Sequence, residues 1–281
     1  MSVIPLTDVS RRPGRFPVVT ALIILVNGLV FALELAGGDA FVTRWSLVPA
    51  NIVAGKDWIT ILTAMFMHGG WSHILGNMVF LWAFGPEIED LMGRSRYLVF
   101  YLLGGLAATA AQIAAGPGST VPNLGASGAI AAVMGAFLVT YPRDRIRSLL
   151  VIFVFVRVTY VPAALLTGVW FLIQFLNFGA VTKAPAGGVA YAAHVGGFIF
   201  GAVTARLFED RQRLPELRGS TYPRRTRGHS LASRRGAERR RSVPADSSAV
   251  SSAVILPPYR CLPVAHRSAY SRAGRPRVLR R

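Results

Sequence analysis

An all-α polytopic membrane protein is the fold class that this sequence predicts, and three observations predict it. Hydrophobic residues make up 52% of the 281 and charged residues 16%, with a mean hydropathy of +0.44, too apolar for an ordinary soluble domain. The apolar residues come in runs of about 20, enough to cross ~30 Å of hydrocarbon at ~1.5 Å per residue. The charge is segregated: of a net +18, most comes from 18 arginines set against 5 acids after residue 208. The basicity therefore belongs to a tail and not to the apolar body. Cys261 is the single cysteine, which excludes an intramolecular disulfide and a multi-cysteine metal site.

Residues 1–15 are polar and carry Arg11, Arg12 and Arg15, as expected of a cytoplasmic N-terminal segment. Phe16 to Ala36 is the first span. More apolar runs follow it, so it is expected to stay in place rather than be cleaved as a signal. Gly37 to Gly70 is too long for a plain connection, and its Phe41, Trp45, Trp58 and Phe66 predict a structured outer loop in the membrane interface. The second span runs from Trp71 to about Glu89, the third from Tyr97 to Ala115, and the fourth from Ser127 to near Tyr141, where Pro142 stops it. Leu149 to Thr159 is apolar, β-branched and broken by Arg157, and its pattern assigns it to no element. Pro162 suits the first turn of a helix running to about Asn177, and the sixth span covers about Gly188 to Leu207.

Residues 16–208 thus form a six-span membrane domain. Residues 209–281, rich in Arg, Ser, Pro and Ala without periodic apolar positions, predict a disordered tail suited to anionic lipid headgroups. Without an aromatic platform or folded module, specific nucleic-acid binding is not expected. Six spans put both termini on one side. With that side cytoplasmic, the inner connections hold Arg94, Arg96, Arg143, Arg145, Arg147, Arg206 and the tail, and the outer ones only Arg44, Lys56 and Lys183. That asymmetry satisfies the positive-inside rule.

The same orientation brings the polar residues of three spans to one outer level. Ser127, in Gly125-Ala126-Ser127-Gly128, opens the fourth span; His73 and Asn77 lie four apart on one face of the second; His194 sits among small residues of the sixth. Each alone is explained by packing, because small residues let membrane helices approach and lone polar groups bond between helices. Together they require more, since hydrocarbon penalises every one of them. Serine hydrolysis supplies a common cause. A hydroxyl becomes a nucleophile when a neutral imidazole takes its proton, and the oxyanion needs donors such as a helix N-terminal amide and the side chains of Asn77 and His73. There is no His-Glu-x-x-His, the spans hold no aspartate pair, and Glu34 stands alone at the end of the first span. No metal or other cofactor is expected.

These residues resemble the rhomboid intramembrane serine proteases over about residues 16–208. The match lies in His73-x-x-x-Asn77, Gly125-x-Ser127-Gly128 and Ala193-His194-x-x-Gly197-x-x-x-Gly201, together with Gly85-x-x-x-Glu89-x-x-x-Gly93, which is similar to the family's structural turn. The resemblance implies a six-helix bundle, a Ser127 nucleophile with His194 as base, and an oxyanion hole from the Ser127 amide, His73 and Asn77. It also implies structural support from His68, Glu89, Gly125, Gly128, Gly197 and Gly201, and cleavage of transmembrane segments of other membrane proteins. The chain departs from many members at Ile59, where they carry arginine after the tryptophan, and at Ala131, where they carry an aromatic four residues past the serine. The competing class is a rhomboid-like protein that binds transmembrane segments without cutting them; the presence of both Ser127 and His194 favours the protease. Arg- and Ala-rich usage with no sorting signal points to a bacterial plasma membrane.

Overall fold

The computed structural model describes residues 2–10, 13–152, 155–181, 190–210 and 212, and the expected disordered tail lies almost wholly outside them. In chain order the elements are β1 (Ser2–Asp8), α1 (Val18–Trp45), α2 (Pro49–Val53), α3 (Thr60–Thr63), a 3-10 turn (Ala64–Phe66), α4 (Trp71–Met92) and α5 (Arg94–Ala115). They continue with α6 (Ser127–Thr140), β2 (Arg145–Ile152), β3 (Phe155–Pro162), α7 (Ala163–Val181) and α8 (Tyr191–Phe208). The described residues are mostly helical, and α1 and α5 are each long and apolar enough to cross a membrane.

At the centre is α6, buried without a break from Gly128 to Phe137. A helix apolar on every side has no face to offer water and ends up enclosed. Both α5 and α8 lie against it, as does α4. The outward faces carry large exposed apolar side chains, among them Leu22, Leu25, Leu29 and Leu33 on α1 and Leu165, Val169, Leu172 and Leu176 on α7. That is the inverse of a water-facing surface.

Small residues close the central seam. A Cβ at Gly197 or Gly201 of α8 would run into the carbonyl oxygens of Gly128 and Ala132 on α6, and one at Gly135 of α6 into the carbonyl of Phe198. The two backbones therefore touch at successive turns, which a side chain larger than hydrogen would prevent.

The region after the first span is structured, as its composition predicts. Helix α1 runs past the expected end at Ala36, bends at Gly38 (φ 59°, ψ −154°) and continues to Trp45; the positive φ explains a glycine at the bend. The segment beyond it is tied to the α5–α6 connection by the bridge between Leu47 and Asn123. The Gly125 N–H adds a bond to the Ala64 carbonyl at 2.9 Å.

The all-α expectation fails at the end opposite the seam's serine. There β1, β2 and β3 form an antiparallel sheet in that order, with Ser2 paired to Val151, Asp8 to Ile146, and Arg145 to Pro162. Residues 145–162 are rich in Val, Ile, Leu, Phe and Tyr, side chains that suit a pleated surface, and Pro142 has already ended the helix. Pro162 is consequently the last residue of a strand, not the first turn of a helix. The N-terminal segment is an edge strand of this sheet, held to the foot of α4 by the Gly14 N–H on Asp90 at 2.8 Å.

Candidate active site

Ser127 is the first residue of α6, so its own N–H has no partner within the helix. Preceding it, Gly125 has φ +137°, and a Cβ there would lie 3.0 Å from His73 Cε1, 3.1 Å from His73 Nε2 and 3.5 Å from Ser127 Oγ. Only glycine fits both the dihedral and the space. The absent side chain is what lets the His73 ring and the Ser127 hydroxyl face one point.

From α8, His194 Nε2 lies 2.7 Å from Ser127 Oγ. The close seam sets this distance, because Gly128 and Gly197 are the next inward contacts of the same two helices. On the far side of the ring, Nδ1 lies 2.9 Å from Gln174 Oε1 on α7. The Trp170 ring stands 5.5 Å away at 41°. Ala131 is fully buried and carries only a methyl group.

His73 and Asn77 occupy one face of α4, as their spacing predicts. The Gly69 N–H donates to His73 Nδ1 at 3.2 Å, so the ring's proton sits on Nε2, the atom turned toward Gly125. Asn77 is buried, and its Nδ2 has no hydrogen-bond partner among the described residues. A buried amide with an unused donor is uncommon.

Two supporting residues, His68 and Glu89, make their hydrogen bonds to other elements. The His68 N–H donates to both carboxylate oxygens of Glu34, at 3.0 and 3.1 Å, and its ring stands 5.2 Å from that of His73. Burial, with a smaller contribution from nearby His73, holds the His68 imidazole down to about 4. At the other end of α4, the Glu89 carboxylate accepts Val19 N–H (2.9 Å), Thr20 N–H (2.8 Å) and Thr20 Oγ1–H (2.8 Å). It thereby caps α1, whose Pro17 offers no side-chain cap, and sets a negative group at the positive end of the helix dipole. Trp58 and Ile59 are both exposed on the outer segment.

Three polar residues of this region were not singled out from the sequence as parts of the site. Gln174 holds the far side of the His194 ring. Gln112 Oε1 accepts the Ala193 N–H at 3.2 Å, satisfying a free donor in the first turn of α8. Glu34 anchors His68. Among the described side chains of α7 the buried ones are Ala163, Thr167 and Gln174, spaced by four and seven, so the glutamine falls on the inward face.

A serine at a helix N-terminus bonded to a histidine on an adjoining membrane-type helix defines a class of site seen in serine hydrolysis. A family model described as the rhomboid domain matches residues 55–211, and the chain belongs to the rhomboid family, a membrane-integral family composed mostly of intramembrane serine proteases. It is 32% identical over 126 residues to the rhomboid protease GluP of Bacillus subtilis (strain 168), covering 43% of this chain and 24% of that protein. To rhomboid protein 1, mitochondrial, of Saccharomyces cerevisiae it is 30% identical over 187 residues, 63% of this chain and 49% of the relative. To the presenilin-associated rhomboid-like protein A, mitochondrial, of Danio rerio it is 28% identical over 130 residues, covering 46% and 33%. The chain thus spans between a quarter and a half of the length of these relatives.

Proposed function

We propose that this protein is an intramembrane serine endopeptidase that cuts transmembrane segments of other membrane proteins, with Ser127 as nucleophile and His194 as base. The observation that carries the proposal is the 2.7 Å separation of Ser127 Oγ and His194 Nε2. In the reaction His194 takes the hydroxyl proton as Oγ attacks the scissile carbonyl. The oxyanion is received by the Ser127 N–H, His73 Nε2–H and Asn77 Nδ2–H. His194 then passes its proton to the leaving amine, and water repeats the sequence on the acyl-enzyme. Each preorganised donor is worth ~3 kcal/mol of barrier.

Helix length supports a recessed site. The 14 residues of α6 reach about 21 Å, less than the ~30 Å of a hydrocarbon core, so a helix rooted at the inner face begins below the outer surface. In this reading α1, α4, α5, α6, α7 and α8 all span, both termini face the cytoplasm, and the membrane is a bacterial plasma membrane. The arginine-rich tail rests on anionic headgroups. The lipid bilayer and single-span substrates are the partners.

Purified full-length protein in proteoliposomes, supplied with a single-span model substrate, tests the proposal. The wild type is expected to cleave and to be labelled by a fluorophosphonate; Ser127→Ala is expected to do neither while unfolding at the same temperature. Equal cleavage by both rejects the nucleophile.

A further inference from the structure

His194 is held from two sides, and the second side is not the one its neighbours in sequence suggest. Ala131, on α6, gives the imidazole no ring to lean on. The contacts come from α7, where Gln174, only 9% exposed, meets Nδ1 at 2.9 Å. One turn earlier Trp170 lies beside the ring at 5.5 Å and stacks on Phe198 of α8 at 6.3 Å and 30°. Trp170 and Gln174 are four residues apart and so share one face of α7.

We propose that Gln174 is a positioning residue for the catalytic base, selecting the tautomer of His194, and that Trp170 fixes the plane of its ring. This rests on the dyad reading above. The chemistry follows from what each atom can do. An amide oxygen only accepts, so Nδ1 carries the proton and Nε2 presents its lone pair to Ser127 Oγ, as a base must. In the other tautomer Nε2–H donates to the hydroxyl and cannot take its proton. A group that orients the base without touching the substrate completes the constellation usual for an activated nucleophile. Here it is a neutral amide on a separate helix.

Two substitutions in the full-length protein separate positioning from packing. Gln174→Met keeps length and helix preference but removes the acceptor; Gln174→Glu keeps an acceptor at the same reach in either protonation state. The methionine variant is expected to lose about 10- to 100-fold in kcat with KM within about twofold, and the glutamate variant to recover to within about threefold of wild type. A role in packing alone predicts that methionine is tolerated. Wild-type kcat in Gln174→Met, or a glutamate variant no better than methionine, overturns the proposal. The tautomer is also read without turnover, by 15N shifts of His194 in the Ser127→Ala background. The Nδ1–H form is expected with Gln174 present, and that preference is expected to be lost in Gln174→Met; an Nε2–H form with Gln174 present overturns the proposal. Because that measurement needs no cleavage, failure of the protease reading and failure of the positioning role give different results.

Discussion

Adding one methyl group at Gly197 should disable the site without touching any reacting atom. A Cβ there falls against the Gly128 carbonyl oxygen and lies 3.0 Å from its carbon, with Ala108 Cβ 3.4 Å away on another side. The obstacle is helix backbone, which cannot rotate aside as a side chain can. Restoring ordinary contact requires α8 to retreat from α6 by ~1 Å, judged against the ~3.5 Å optimum for non-bonded heavy atoms. His194 lies one turn away on the same helix, so its 2.7 Å bond to Ser127 would lengthen past the limit at which a hydrogen bond persists. A misplacement of ~1 Å costs about 100-fold in rate, and overpacking adds ~1–3 kcal/mol of destabilisation. The assay is kcat for Gly197→Ala on a reconstituted substrate, well below the unfolding temperature. Gly28→Ala is the control, since nothing lies within 4 Å of a Cβ there, and it should keep full activity. A Gly197→Ala variant within twofold of wild type would refute the claim that the seam sets the distance between hydroxyl and imidazole.

Three further outcomes follow from the same geometry. Asn77→Ala removes a buried donor with no ground-state partner among the described residues, so kcat should fall by about 100- to 1000-fold with little change in KM; a change confined to KM would assign the residue to binding instead. Glu89→Ala strips the acceptor from three donors of α1 and should lower stability by ~3 kcal/mol or more, with Glu89→Gln recovering part of it; unfolding in detergent micelles measures both, and a wild-type midpoint for the alanine variant counts against the cap. His68 has its pKa held at about 4 by burial, below the ordinary ~6.5. The unfolded chain therefore binds this proton more readily than the folded one. Its contribution is full above about pH 6.5 and is lost as pH falls toward 4, by roughly 3 kcal/mol in all, about 2 of it between pH 7.5 and 5. His68→Gln should shrink the drop in melting temperature between pH 7.5 and 5, and an unchanged drop would contradict it.

How far the fold could be read in advance depended on whether its signal was local. The helix starts at Trp71 and Ser127 coincide with the expected ones, because polar residues and glycine mark the change from loop to apolar run. The stop at Pro142 is local too. The sheet was not legible in the same way. Ser2–Asp8 is short and broken by Pro5, and what makes its Val3, Ile4 and Leu6 part of a strand is pairing with residues about 140 positions away. Leu149 to Thr159 carried a β-branched signal, but in a chain whose other apolar runs are helical, composition alone did not separate a strand pair from an irregular connection.

The site divides along the same line. Ser127, His73, Asn77 and His194 stood out because a polar side chain in an apolar run needs a reason, and the glycines stood out by their four-residue spacing. Gln174 broke an apolar run just as His194 did, and it lay on the buried stripe with Thr167. Unlike His194, it belongs to none of the motifs by which the chain resembles the family. The imidazole's second ring nitrogen needs an acceptor, since a buried N–H without one is costly. Of the helices beside α8, α7 is the one that supplies it. On the proposal made for Gln174 and Trp170, the base is held from α7, and its alignment becomes a property of how α7 and α8 lie together.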